Sequence, residues 1–183
     1  IPVQPLNYSI TGGADATLFS INSSTGELVL VAAPNFEVPA DVGLDNIYNV
    51  TIQVSDGALT VTQDITVTVT SANDNNPVIT SNGAISISEN VIAVVTATAT
   101  DADLPAHSLI FSITGGVDST LFNINSSTGE LNFITAPDFE IPKDAGVDNI
   151  YNLTIQVSDG ELVSTQDISV TVTAVNDNPP VIT

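Results

Sequence analysis

The sequence predicts an all-β chain built as tandem Greek-key β-sandwiches, and three observations lead there. Apolar and polar residues alternate with period two over long runs, as in Tyr151, Leu153, Ile155 and Val157 against Asn152, Thr154, Gln156 and Ser158. β-Branched residues dominate these runs, and Gly, Asn, Asp or Pro punctuates them. The pattern then recurs: Tyr8-Ser9-Ile10-Thr11-Gly12-Gly13 returns as Phe111-Ser112-Ile113-Thr114-Gly115-Gly116, a shift of 103 positions (111 − 8). A period near one hundred residues marks tandem domains, since solenoid repeats are shorter.

Within the second repeat the alternation places seven strands, at roughly 79–89, 91–100, 107–113, 120–125, 130–135, 149–158 and 162–174. Leu131 and Phe133 alternate after the turn at Ser126-Ser127-Thr128-Gly129, and Ile168, Val170 and Val172 alternate along the last strand. The tract 137–149, with two prolines and a glycine, reads as a crossover loop between the fifth and sixth strands. Seven short strands of this kind suit a two-sheet Greek-key sandwich. The expected repeats are 1–77, lacking its first two strands, and 78–183, complete. Ile1 aligns with Leu104, so the first repeat has no counterpart of residues 78–103. Either the chain is a fragment of a longer array, or another copy donates the missing strands across open sheet edges.

Composition narrows the function. One Lys+Arg stands against 21 Asp+Glu, a net charge of −20. Such acidity often means disorder, but hydrophobic residues make up 43% of the chain, enough for a packed core. Nucleic acid is excluded as a partner, because holding phosphates needs a basic surface, and an anionic membrane would repel the chain. A merely solvated acidic surface, on a secreted or halotolerant protein, is the plainer reading. Cysteine is absent, which removes disulfides and thiolate chemistry. A disulfide-free extracellular protein needs another staple, and metal would serve. The apolar run 91–99 is too short to cross a bilayer, so no direct membrane insertion is expected. No signal peptide is evident, and any anchor or export signal is expected outside this segment.

Asn73-Asp74-Asn75-Asn76-Pro77 closes the first repeat and recurs as Asn176-Asp177-Asn178-Pro179-Pro180. A joint of acids and amides stiffened by proline is too polar for a core, and it reads as a hinge that a divalent cation makes rigid. Four further motifs accompany it: Ser88-Glu89-Asn90, Asp101-Ala102-Asp103, Asp138-Phe139-Glu140 and Ser158-Asp159-Gly160. In this order they resemble the calcium-binding signatures of bacterial cadherin-like domains. The second repeat resembles a whole domain of that family and the first a truncated one.

The resemblance implies Ca²⁺ at the joints between domains, with ligands from both neighbours. Carried over, the joint within this chain would use Asn35 and Glu37 from the first crossover loop, Asn73, Asp74 and Asn75 from the linker, and Asp101, Asp103 and Asp159 from the second repeat. Glu89, Asp138, Glu140 and Asp177 would form a half-site for a following repeat. Oxygen-only ligands suit Ca²⁺, which takes six to eight of them. Some family positions have changed: Ser71 and Ala174 stand where an Asp often precedes the linker, and Asn35 replaces a loop Asp. The set Asn73, Asn75, Asp101, Asp103 and Asp159 keeps its side chains, and a carbonyl within residues 106–108 could complete it. Each acid alone reads as an Asx turn; crowded at one joint without a cation, they would repel. Asp41 reads as a loop acid outside the cluster.

Catalysis has little support. His107, the single histidine, reads as a solvent-facing loop residue, and Lys143, the single lysine, has no evident partner. The expected role is a calcium-rigidified structural and adhesive repeat of a large bacterial surface or secreted protein, extracellular or at the cell surface, with neighbouring repeats as partners. The alternative is a calcium-dependent polysaccharide-binding module. Against it, tryptophan is absent, and Tyr8, Tyr48, Phe111, Phe122, Phe133 and Tyr151 fall at inward positions.

Overall fold

The structure is a computed structural model that describes residues 4–180. Ile1 to Val3 and Val181 to Thr183, the outer ends of the two expected repeats, lie outside the described residues. Contacts divide the chain into two units, Ile1–Ala72 and Asn73–Thr183, so the linker residues Asn73 to Pro77 count with the second.

In the first unit, β1 (Asn7–Gly12), β4 (Ile47–Ser55) and β5 (Thr60–Thr68) form a sheet in the order β1-β4-β5, while β2 (Phe19–Ile21) pairs with β3 (Leu28–Leu30). A 3-10 turn at Ala16–Leu18 leads into β2. β4 and β5 are antiparallel from Ile47 opposite Thr68 to Ser55 opposite Thr60. Phe19, Tyr48 and Val50 are buried, and Ile10, Leu18, Leu28, Leu30, Ile65, Val67 and Val69 pack partly covered against them. Among the described residues β5 has no strand partner but β4, and β3 none but β2.

The second unit repeats this arrangement and adds to it. The strands are β6 (Val78–Ile79), β7 (Ala84–Ser88), β8 (Ala93–Thr96), β9 (Ala99–Thr100), β10 (Ile110–Gly115), β11 (Phe122–Ile124), β12 (Glu130–Phe133), β13 (Ile150–Ser158) and β14 (Val163–Thr173). One sheet runs β10-β13-β14-β7 and the other β11-β12-β8, with β6 paired to β9 beside it. β6 with β7 and β8 with β9 are single strands of the sandwich, each interrupted once, so nine short stretches make seven strands. The first interruption has a cause in the sequence. Gly83 accepts a hydrogen bond from the Ser169 amide, and a Cβ there would sit 2.6 Å from the Asp167 carbonyl. After that close approach, β7 runs parallel to β14, from Ala84 beside Ser169 to Ser88 beside Thr173. β6 instead pairs antiparallel with β9, so the first strand of this repeat belongs to both sheets.

The apolar face predicted by alternation is the core. Tyr151, Leu153, Ile155, Val157, Ile168, Val170 and Val172 are all buried, with Phe111 from the neighbouring strand β10 and Phe122, Leu131 and Phe133 from the facing sheet. Phe133 meets Tyr151 edge-on at 5.0 Å between ring centroids, a favoured aromatic geometry. The fold is all-β and of sandwich type.

Candidate metal centre

The second unit gathers one end of its strands and loops around Asp103. That residue follows β9, where the chain leaves the sheet, and only 1% of its surface is exposed. Asn75 of the linker donates to it, through the side-chain amide at 2.6 Å and the backbone N–H at 3.3 Å. The amide bond from Asn75, the leading influence, holds the Asp103 carboxyl below its ordinary pKa of 3.8. Asp101 turns back on the same loop, its Oδ1 accepting the Asp103 N–H at 2.8 Å. Asp159 caps the turn between β13 and β14, where its Oδ1 accepts the N–H groups of Glu161 and Leu162, both at 2.8 Å. Burial pushes the Asp159 carboxyl up, but those two N–H groups and the Asn73 side chain outweigh it and keep it ionised below 3.8. Carboxylates held charged by donors, with oxygens to spare, are chemically suited to holding a cation.

Spare oxygens are what the structure shows. Asn73 Oδ1, Asp101 Oδ2 and Asp159 Oδ2 are buried without a hydrogen-bond partner. Buried oxygens left unpaired are costly, and each calls for a physical account. Hard oxygen donors of this type, two of them on carboxylates, fit Ca²⁺. Of the predicted ligands, Asn73, Asn75, Asp101, Asp103 and Asp159 are linked by these bonds and charges within the second unit. Asp74 is exposed, and its Oδ1 accepts from Asn75 at 3.0 Å. Asn35 and Glu37 lie in the first unit, where Asn35 Oδ1 caps the backbone N–H of Glu37 at 2.8 Å and of Val38 at 3.1 Å.

Another cluster in the second unit joins Glu89, Glu140 and Asp177, whose carboxylate oxygens lie within 4.8 Å of one another. Glu89 is buried and fixed at both oxygens, by the Phe139 N–H at 2.8 Å and the Val175 N–H at 2.7 Å. Asn90, at φ 66°, donates to Asp177 Oδ2 at 2.7 Å. Asp138 is exposed outside this threesome, and its Oδ1 caps the Ile141 N–H at 3.0 Å.

Asp41 is a loop acid outside the clusters, as read, but it is 1% exposed and accepts the N–H groups of Asp45 and Asn46, both at 3.0 Å. The reading of His107 is corrected: it is a half-buried loop residue rather than a freely solvated one, and its Nδ1 is enclosed without a partner. Sequence reasoning also missed Asp15, Asp118 and Asp144. Asp118 ties the crossover loop to β13, accepting from Ala145 and Asn152 at 2.7 Å each, and Asp15 does the same for Val42 and Asn49. A signal was present, because Asp15 and Asp41 recur in step as Asp118 and Asp144.

Residues 84–174 match the family model of the cadherin domain. Human protocadherin Fat 1 is 32% identical over 187 residues, which covers 96% of this chain and 4% of that protein. Mouse cadherin-related family member 3 is 30% identical over 195 residues, covering 100% of this chain and 23% of that protein. The chain thus spans less than a quarter of either relative. Among solved structures, human protocadherin-24 EC1-2 superposes with a TM-score of 0.68 at 25% identity, over 93% of this chain and 83% of that one. Repeats of this type are extracellular or at the cell surface. The chain is cadherin-like, and its residues 84–174 belong to the cadherin domain family.

Proposed function

We propose that this segment is a calcium-rigidified structural and adhesive part of a large bacterial surface or secreted protein. The observation that carries the calcium reading is the set of enclosed, unpaired oxygens on Asn73, Asp101 and Asp159, beside an Asp103 kept ionised by Asn75. Bound there, Ca²⁺ supplies positive charge that these oxygens can share. The chain's own part is to hold the donors ready: β9 delivers Asp101 and Asp103, the β13–β14 turn fixes Asp159, and the linker brings Asn73 and Asn75. Participation of Asn35 and Glu37, and completion of the Glu89, Asp138, Glu140 and Asp177 half-site by a following repeat, rest on the family resemblance. So does the bacterial source. Membership of the cadherin family supports adhesion, with neighbouring repeats and further copies of the chain as partners. Strand donation between copies is supported by the open edges of β3 and β5 in the first unit.

Polysaccharide binding is less favoured, because none of the three tyrosines and six phenylalanines is exposed to form a sugar shelf. The same reading makes the segment a binding element without turnover.

Calorimetric titration with CaCl₂, paired with melts in calcium and in chelator, tests the proposal. Calcium at about a hundredfold excess over Kd should raise the melting temperature by roughly 10–20 °C. Asp103→Ala should abolish most of that response, while Glu130→Gln, on an exposed strand position, should leave it intact. Coincident melts in calcium and chelator would overturn the reading. Rigidification has its own check, a scattering profile that narrows in distribution when calcium is added.

A further inference from the structure

We infer that Asp101, Asp103 and His107 form a nitrogen-containing site for a borderline divalent cation of the zinc class. A ring nitrogen of His107 and a carboxylate oxygen from each aspartate lie within 4.8 Å of one another. His107 Nδ1 is buried with no hydrogen-bond partner, and so is Asp101 Oδ2. An imidazole nitrogen enclosed in this way loses its water without gaining a partner. A surface loop histidine would keep both ring nitrogens wet, so solvent exposure does not account for it.

The neighbours are all of one sign. His107 lies within electrostatic reach of both Asp103 and Asp159. Asp159 is 8% exposed and keeps its own Oδ2 enclosed and unpaired. The result is an imidazole among carboxylates with enclosed, unused lone pairs on both kinds of donor.

Donor chemistry separates this from a calcium function. Ca²⁺ is served by oxygen, whereas imidazole is a favoured ligand of zinc, copper, iron and nickel. Two carboxylates and one imidazole give three protein ligands, and a fourth position stays open for water or Asp159. Bonds of about 2.1 Å to a tetrahedral ion place its donors roughly 3.4 Å apart, so side chains whose donors already lie within 4.8 Å of one another need only a small adjustment to share one. The inference uses the same acids as the calcium reading but does not require calcium to bind.

The test is titration of the full chain with ZnCl₂, and with CoCl₂ as a coloured reporter, for the native chain and His107→Asn. One saturable Zn²⁺ site is expected, at least tenfold weaker in the variant, with Ca²⁺ affinity changed less than threefold. Co²⁺ should give ligand-field bands that the variant lacks. Because the chain has a single histidine, long-range ¹H–¹⁵N correlation in the native protein reports ring ligation directly, whatever the variant does to folding. Equal Zn²⁺ affinity in both proteins, or unmoved ring nitrogens at saturating Zn²⁺, would overturn the inference. Zn²⁺ binding that survives where Ca²⁺ binding is absent would sink the calcium reading and leave this one standing.

Discussion

The two repeats share most of their sequence pattern yet bury it differently. Tyr48 and Tyr151 are equally enclosed, at 1% exposure each. Moving outward to β5 and β14, the match fails. Ile168, Val170 and Val172 are fully buried, whereas Ile65, Val67 and Val69, in the same register, are only partly covered. The second repeat lays Ile85 and Ile87 of β7, and Val94 and Val95 of β8, over that face. The first has no such cover among the described residues. Alternation in a strand therefore specifies which side seeks cover, while the degree of burial is set by what arrives to provide it.

Truncation in the two cores should show this most strongly. Ile168→Ala is expected to cost about 3–4 kcal/mol, and Ile65→Ala about 1–2, because a half-covered side chain loses less on removal. Urea titrations following each repeat separately would measure the pair, and equal costs would break the comparison. The buried aspartates should behave in the opposite way. Asp144 and Asp41 close the same loop in both repeats, so Asp144→Ala and Asp41→Ala should each lower the melting temperature of their own repeat by several degrees, and by similar amounts.

Acid should affect the two repeats in parallel. Burial pushes the Asp144 carboxyl up, but the N–H groups of Asp148 and Asn149 outweigh it and hold it below 3.8. Asp45 and Asn46 do the same for Asp41. A carboxylate depressed in the folded state adds stability above its unfolded pKa and loses it as pH falls through the folded value. Stability should thus be flat at neutral pH and decline below 3.8, with Asp144→Asn making the acid limb of the second repeat shallower without abolishing it, because Asp103 and Asp159 are held low there too. Melts at stepped pH would show it.

The smallest effect concerns a turn. Gly129, at φ 73°, would place a Cβ 2.2 Å from the Ala97 carbonyl, a backbone atom of the strand the first repeat lacks. At Gly26 the nearest atoms belong to the Tyr8 ring, at 2.8 Å. Both substitutions to alanine strain the left-handed backbone, but Gly129→Ala should cost more, by about 1 kcal/mol. Paired denaturation curves would sharpen the distinction.

Much of this was legible in the residues. The face Tyr151, Leu153, Ile155 and Val157 follows from period two alone, as does the run Ile168, Val170 and Val172. The interruption of the first strand was not, because Asn82-Gly83 looks like an ordinary weak point until Ser169 and Asp167 are seen against it. Acids posed the harder problem. Asp118 and Asp144 carry the same letters as a solvated turn, and what distinguishes them is a partner 27 or 34 positions away for Asp118 and a turn that closes on itself for Asp144. His107 poses a similar problem: its sequence neighbours are loop-like, and only the structure shows Nδ1 enclosed, with a ring nitrogen within 4.8 Å of carboxylate oxygens of Asp101 and Asp103.

The parallel course of β7 and β14 bears on how the second repeat carries load. Tension entering ahead of β7 and leaving past β14 drags the two strands in opposite directions along their length. Every rung between Ala84 and Ser88 then resists at once, like an overlapped seam under shear, where a hairpin pulled from its open end would unzip one rung after another. A repeat so connected is suited to transmitting force from its first strand to its last.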